Sequence, residues 1–401
     1  MTEDGKIFQC TIPTVKERLW TSNFVYAFFI NAALFMSFHM LTPTFPFFIS
    51  YLGGTDQIAG MAAAAISFSA LIFRPFAGWF MDNKGRKLIF IIGLIILVTV
   101  AFYYNTVQLL LLAVLLRFVH GIGWGISTTG ANTIAADTIP KGRFAEGMGY
   151  FSLTAAVSLA FAPALGLWLI ERFNFNTLFN ISGIFAAVAF FLAVIFRYEN
   201  IKPQTPKAKS PMLKDLFSLE AIRPALIMML SAIPFGAALS FVAVYAVYRG
   251  IENTGSFFIV LAVVSAIARI ASGKIADKKG ESIMVLGGLI FTLASMLSLT
   301  FCHGVVLYLI SGAFLGIGFG FSICSLQTQA LRNALPQRRG AASGTFLLSL
   351  DIGIGSGGLI AGWVATQVGY EAMFPSMLLP MIAALILYFI FSKRRLAKEL
   401  Q

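Results

Sequence analysis

The chain has 401 residues, 58% of them hydrophobic and 11% charged, with a mean hydropathy of +0.84. A soluble globular domain carries about 25% charged residues, so this composition points to lipid as the surrounding solvent and excludes the common soluble enzyme classes. Cys10, Cys302 and Cys324 are too few and too scattered for a disulfide framework or a zinc site. Three histidines and one clearly intramembrane acid leave no donor set for a metal or haem centre, and no cofactor is expected.

About 20 mainly apolar residues cross the hydrocarbon layer as a helix, and twelve such spans can be marked in chain order. The first six lie near 22–48, 57–81, 88–104, 108–136, 147–170 and 178–197, and the second six near 223–247, 255–275, 283–302, 305–330, 342–368 and 371–392. The polar stretch from Met1 to Lys16, followed by an apolar segment long enough to span, does not have the form of a cleavable signal peptide. The pattern predicts an all-α membrane protein of two six-helix bundles, residues 1–198 and 223–401, joined by a linker over 199–222. Pro203, Pro206 and Pro211 among charges suit a solvated linker, although "LKDLFSLEAI" at its end has the pattern of a short surface helix.

The net charge of +12 would suit nucleic acid, but its distribution argues for topology instead. The termini and even-numbered connections hold 24 lysines and arginines, against Arg172 and Arg249 on the other face. Basic residues stay on the cytoplasmic side of short loops, so both termini are expected in the cytoplasm of a cell-membrane protein. Arg74, Arg117 and Arg269 remain within spans.

The two halves share a register at a constant offset of 195 residues. Arg74, Gly78, Asp82 and Gly85 fall on Arg269, Gly273, Asp277 and Gly280; Gly121, Gly123 and Gly125 fall on Gly316, Gly318 and Gly320; Gly149 falls on Gly344. Because each half has an even number of spans, the repeats run parallel, related by an axis along the membrane normal.

"GWFMDNKGRK" between spans 2 and 3 resembles the signature loop of the major facilitator superfamily, and "GKIADKKGES" between spans 8 and 9 is its degenerate echo. "RFVHGIGWG" in span 4 is similar to the family's arginine and glycine-rich motif, and "LTPTFPFF" at the end of span 1 resembles the twelve-span drug and proton antiporter branch. Of that branch's Gly-Pro pair in span 5, "AFAPALG" keeps Pro163 and the later Gly166 but has Ala162 first. The resemblance covers the whole chain and implies transport by alternating access.

Physically, Gly78 lets a neighbouring helix approach, and Asp82 can then accept bonds from Arg86 or from a helix N-terminus, whose partial positive charge suits a carboxylate. With Gly85 this forms a latch on the cytoplasmic face, which the resemblance implies holds the outward-open state; Arg143 is a candidate further partner. In the second copy Asp277 keeps its place, but Glu281 stands where Arg86 would be, so a weaker latch is expected. The alternative is a tight hairpin whose charges only mark topology.

Ionisable groups at membrane depth are costly and usually face a cavity. Asp351 and Arg117 each lie nine residues into their spans, close to the midplane from opposite faces. Asp351 could carry a proton, Arg117 would act as a fixed charge, and His120, one turn away, could titrate. Asn31, Phe35, Phe38, Phe235 and Tyr245 are candidates for the substrate cavity, and Gly357 and Gly358 in span 11 for close packing. Arg74 and Arg269 read as helix-end anchors able to snorkel.

One proton suffices energetically: about 2.3 kcal/mol per 100 mV plus about 1.4 kcal/mol per pH unit supports a gradient of a few hundredfold. The expected function is export of a small amphipathic drug or metabolite in exchange for protons by a monomer. The alternatives are a dedicated exporter of one metabolite or metallophore, and a proton-coupled importer. A channel would need repeated polar rings and an intramembrane enzyme a nucleophile with its base; neither pattern appears, nor does an ATP-binding loop.

Overall fold

The computed structural model describes residues 18–198, 213–251 and 254–399. Among these the regular elements are helical, and twelve stretches are long and apolar enough to cross a membrane. The first six are α1 (Ser22–Tyr51), α2 (Asp56–Lys84), α3 (Arg86–Tyr103), α4 (Leu110–Thr138), α5 (Phe144–Arg172) and α6 (Phe175–Ile195). A four-residue helix, α7 (Leu213–Leu216), precedes α8 (Leu219–Tyr248), α9 (Ser256–Lys279), α10 (Glu281–Thr300), α11 (Val305–Asn333) and α12 (Arg339–Gln367). The last span is broken into α13 (Tyr370–Ser376) and α14 (Leu378–Glu399). The proline-rich stretch at 199–212 lies outside the described residues.

Within the first bundle α1 packs on α5 and α6, α4 on α2 and α3, and α3 on α6; within the second, α8 packs on α12 and α14, α11 on α9 and α10, and α10 on α14. These pairings are the same under the 195-residue offset. Across the bundles α2 meets α12 and α5 meets α9, again as equivalents. The α2–α3 and α9–α10 corners each turn on one residue, Gly85 (φ 110°) and Gly280 (φ 87°), a backbone region that favours glycine. Large apolar side chains such as Phe29, Phe68, Phe161, Phe191, Ile267 and Trp363 stand exposed on the outside, the arrangement a bilayer demands and water would penalise.

Glycines set the helix spacing. On α12, a Cβ at Gly353 would meet the carbonyl of Met229, one at Gly357 the carbonyl of Ile233, and one at Gly358 would come 2.9 Å from Ser240 Oγ. This stripe holds α12 against α8 inside its own bundle. Gly166 does the same on α5, where a Cβ would fall 2.5 Å from the Met40 carbonyl oxygen of α1, one turn after Pro163.

Candidate functional site

Hydrogen bonds join the two bundles between the middle of the helices and the face bearing the basic loops, here the basic face. At that face the Asp82 carboxylate, on the last turn of α2, accepts the backbone N–H of Gly340 at 2.9 Å and of Ala341 at 2.8 Å, the first turn of α12. The approach requires Gly78, because a Cβ there would land on the Gly340 carbonyl. Arg86 reaches Asp82 at 3.4 Å and also bonds Asp137 and the Pro336 carbonyl. Asp137 further accepts from Arg339 at 3.0 Å and from the Tyr198 hydroxyl. Burial pushes the Tyr198 phenol above its ordinary range, which keeps it a donor.

The second copy repeats the carboxylate and reverses the charges beside it. Asp277 accepts the N–H of Ala145 at 3.0 Å and of Glu146 at 2.7 Å, on the first turn of α5. Gly273 allows this approach, since a Cβ there would sit 2.6 Å from the Ala145 carbonyl oxygen. Glu281 occupies the position equivalent to Arg86, and Arg332, equivalent to Asp137, pairs with Glu281 at 2.5 Å and with Asp277 at 2.9 Å. The swap keeps an ion pair in each latch with opposite polarity. Arg332 is 38% exposed, whereas Asp137 is 4% exposed, and exposed pairs contribute little. Arg143 is placed with this second latch, on Glu146 at 2.7 Å, instead of beside Asp82.

Deeper in, Arg74 Nε meets Asp351 Oδ2 at 2.7 Å, joining α2 to α12, and Arg74 Nη1 donates to Thr128 Oγ1 at 2.7 Å. Arg74 is 3% exposed and the Asp351 side chain 26% exposed. The remaining carboxylate oxygen, Oδ1, accepts no hydrogen bond among the described residues. The spacing of the sequence did not suggest this pair, because Arg74 reads there as a helix-end anchor. Between the bundles Gln327 donates to Asn132, two residues related by the 195-residue offset, which puts the bond on the pseudo-twofold axis. The register alone could have singled this pair out.

Arg117 and His120 are not brought to Asp351. Arg117 is 3% exposed and sealed inside the first bundle, where Nη2 donates to the Leu41 carbonyl at 3.0 Å, the guanidinium carbon lies 3.8 Å from the Phe45 ring centre, and Nε and Nη1 have no partner. His120 Nδ1 lies 3.4 Å from the Tyr104 hydroxyl in the same interior. The three-residue site expected from depth alone therefore divides: depth along a helix does not fix which face a side chain takes, and α4 turns these two residues toward α1 and toward Tyr104 in the turn after α3. A buried ion without a counter-charge is a weak stabiliser. Arg117→Met should accordingly keep transport within a few-fold of wild type, with an unchanged or higher Tm by differential scanning fluorimetry.

The candidate cavity residues also divide. Asn31 Nδ2 donates to Thr154 Oγ1 at 2.6 Å, tying α1 to α5. Tyr245 is fully buried, its hydroxyl donating to the Leu299 carbonyl at 3.0 Å within the second bundle. Phe38 stacks on Trp124 with ring centres 3.7 Å apart, with Phe35 edge-on to the same indole at 5.0 Å. Phe235 stacks on Phe319 at 3.6 Å. Trp124 and Phe319 are repeat equivalents, so each bundle carries an aromatic stack at the same height.

The family model for the Major Facilitator Superfamily matches residues 27–355. The chain belongs to this superfamily. It is a multi-pass membrane transporter of the family whose members carry small molecules. It is 25% identical to the staphylopine export protein of Staphylococcus aureus over 86% of this chain and 89% of that protein. It is 23% identical to the multidrug resistance protein MdtG of Escherichia fergusonii over 88% and 90%. Among solved structures, the transporter FucP in its outward conformation shares the fold with a TM-score of 0.77, 16% identity, 94% of this chain and 99% of that one.

Proposed function

We propose that the protein is a proton-coupled exporter of a small amphipathic compound, working as a monomer in the cell membrane with both termini cytoplasmic. The asymmetry of lysine and arginine makes the basic face the cytoplasmic one, so the arrangement with both latches engaged is the outward-facing state. The observation that carries the reading is the Arg74–Asp351 pair at 2.7 Å, an ion pair that ties one bundle to the other with a carboxylate a quarter exposed. Ionised, Asp351 holds the bundles together through Arg74. Protonated from outside, it releases the charge-assisted part of that bond and favours opening toward the cytoplasm, where the proton leaves and substrate is loaded. The export function of the staphylopine exporter and the drug-resistance role of MdtG support the direction of transport. No cofactor takes part; the proton is the coupling ion.

Purified protein in liposomes tests this. An imposed gradient, acidic on the outer side of the protein, should drive labelled substrate outward relative to a protein-free control, and counterflow should exchange labelled for unlabelled compound without a gradient. Exchange with no response to the pH gradient would overturn proton coupling while leaving carriage intact.

A further inference from the structure

Arg269 is the repeat equivalent of Arg74, and the two sit alike. Each lies ten residues before the end of its helix, at Lys84 or Lys279. Each offers its backbone carbonyl to a glycine of the facing bundle: a Cβ at Gly344 would lie 2.8 Å from the Arg74 oxygen, and one at Gly149 would lie 2.6 Å from the Arg269 oxygen. Their surroundings then diverge. Arg74 is neutralised by Asp351, but the position equivalent to Asp351 in the first half is Ala156, one turn beyond Ser152 on α5. Arg269 donates Nη1 to the Ser152 carbonyl at 2.7 Å and Nε to Ser265 Oγ at 3.4 Å, and no carboxylate reaches it among the described residues. Its Nη2 makes no hydrogen bond among the described residues. The guanidinium carbon lies 6.0 Å from the Phe319 ring, which is stacked on Phe235.

An arginine only 7% exposed, with no counter-ion among the described residues, is expensive in an apolar interior, and the fold supplies the missing acid only on the other side of its axis. We propose that the substrate supplies it here: Arg269 receives an oxyanion, a carboxylate or sulfonate, carried on an aromatic body that rests against the Phe235–Phe319 stack. This rests on the exporter reading and narrows its substrate to amphipathic anions. The fork of Arg is suited to such groups, and expelling an anion is assisted by an inside-negative potential.

Binding to the purified full chain tests this without any gradient, using 2-naphthalenesulfonate, 2-naphthoate and the neutral 2-naphthamide as probes read by tryptophan fluorescence. The wild type should bind the two anions at least about tenfold more tightly than the amide, the lower end expected of charge-assisted bonds. Arg269→Gln should lose that preference and Arg269→Lys keep part of it. Ala156→Asp, which installs the acid absent from the first half, should also lose it while binding the amide within about threefold of wild type. Equal binding of anion and amide by the wild type, or an undiminished anion preference in either Arg269→Gln or Ala156→Asp, would overturn the proposal; the wild-type comparison decides by itself if neither variant folds. A protein that pumps other compounds but shows no anion preference refutes the role of Arg269 alone. One that binds the anions yet shows no proton-driven flux refutes the coupling alone.

Discussion

Asp351→Asn is expected to lose flux driven by a pH gradient by at least about tenfold while retaining counterflow exchange within about threefold. Asparagine can still accept from Arg74 through its amide oxygen, so the α2–α12 contact is weakened and not abolished. It cannot take up a proton, and the clasp no longer changes strength with pH. A bond to a charged group contributes about 1.5–3 kcal/mol more when it is made than when it is lost, and each 1.4 kcal/mol is a factor of ten in the balance between two states. Protonation of Asp351 would thus shift the outward and inward populations by roughly tenfold to a hundredfold, enough to couple one proton to one cycle. The variant locks that lever at one setting. Exchange needs only that both states be reached, so it survives. Proteoliposomes loaded with labelled substrate measure both quantities on one preparation, and gradient-driven flux equal to wild type removes the acid from the mechanism. Arg74→Gln should act in the same direction on the gradient-driven rate, because it removes the other half of the clasp.

The fold was legible in the sequence because lipid leaves the chain few choices. Twelve apolar stretches must be helices when no water is present to satisfy their backbones, and boundaries placed by composition fall within a few residues of those observed, from Ser22–Tyr51 to the broken last span. The latch aspartates were legible for a related reason. Gly78 and Asp82 recur as Gly273 and Asp277, and only a close approach by a helix N-terminus uses both a missing side chain and a carboxylate one turn later.

The interior was less legible, since a helical residue's depth says nothing about its azimuth. Asp351 and Arg117 were expected nine residues into their spans, but α12 begins at Arg339 and α4 at Leu110, so Asp351 lies twelve residues in and Arg117 seven, and one faces the opposite bundle while the other faces Phe45. Arg74 looked like an anchor because span 2 was expected to end at 81, whereas α2 continues to Lys84 and the partner of Arg74 is 277 residues away. Asp137 and Arg332 went unnoticed as a pair of opposites because the two repeats differ in sign there. The comparison that exposes them is between Arg86 with Asp137 and Glu281 with Arg332, four positions that make sense only together.

Gly78→Ala is expected to move the protein out of the state in which the basic face is closed. The added Cβ would fall on the Gly340 carbonyl, which is backbone and cannot swing aside. Overpacking of this kind costs about 1–3 kcal/mol, and all of it is charged to the closed arrangement, since α2 and α12 separate when the face opens. The population ratio should then shift by roughly fivefold to a hundredfold. Spin labels at Lys84 and Leu335, exposed residues on the two bundles beside this latch, report the change as a transfer of intensity to longer distances in pulsed dipolar spectra. Asp82→Asn should shift the distribution the same way, because an amide cannot accept both N–H bonds from Gly340 and Ala341 and presents its own N–H to one of them. Gly273→Ala offers the matching test on the second latch, where the Cβ would lie 2.6 Å from the Ala145 oxygen. If the latches close as a unit, either alanine alone opens the face, and Gly78→Ala with Gly273→Ala shifts the ratio by the product of the single effects. A distance distribution identical to wild type in Gly78→Ala would show that α2 and α12 can pack with a side chain between them, and the latch would then be only a hairpin that marks topology.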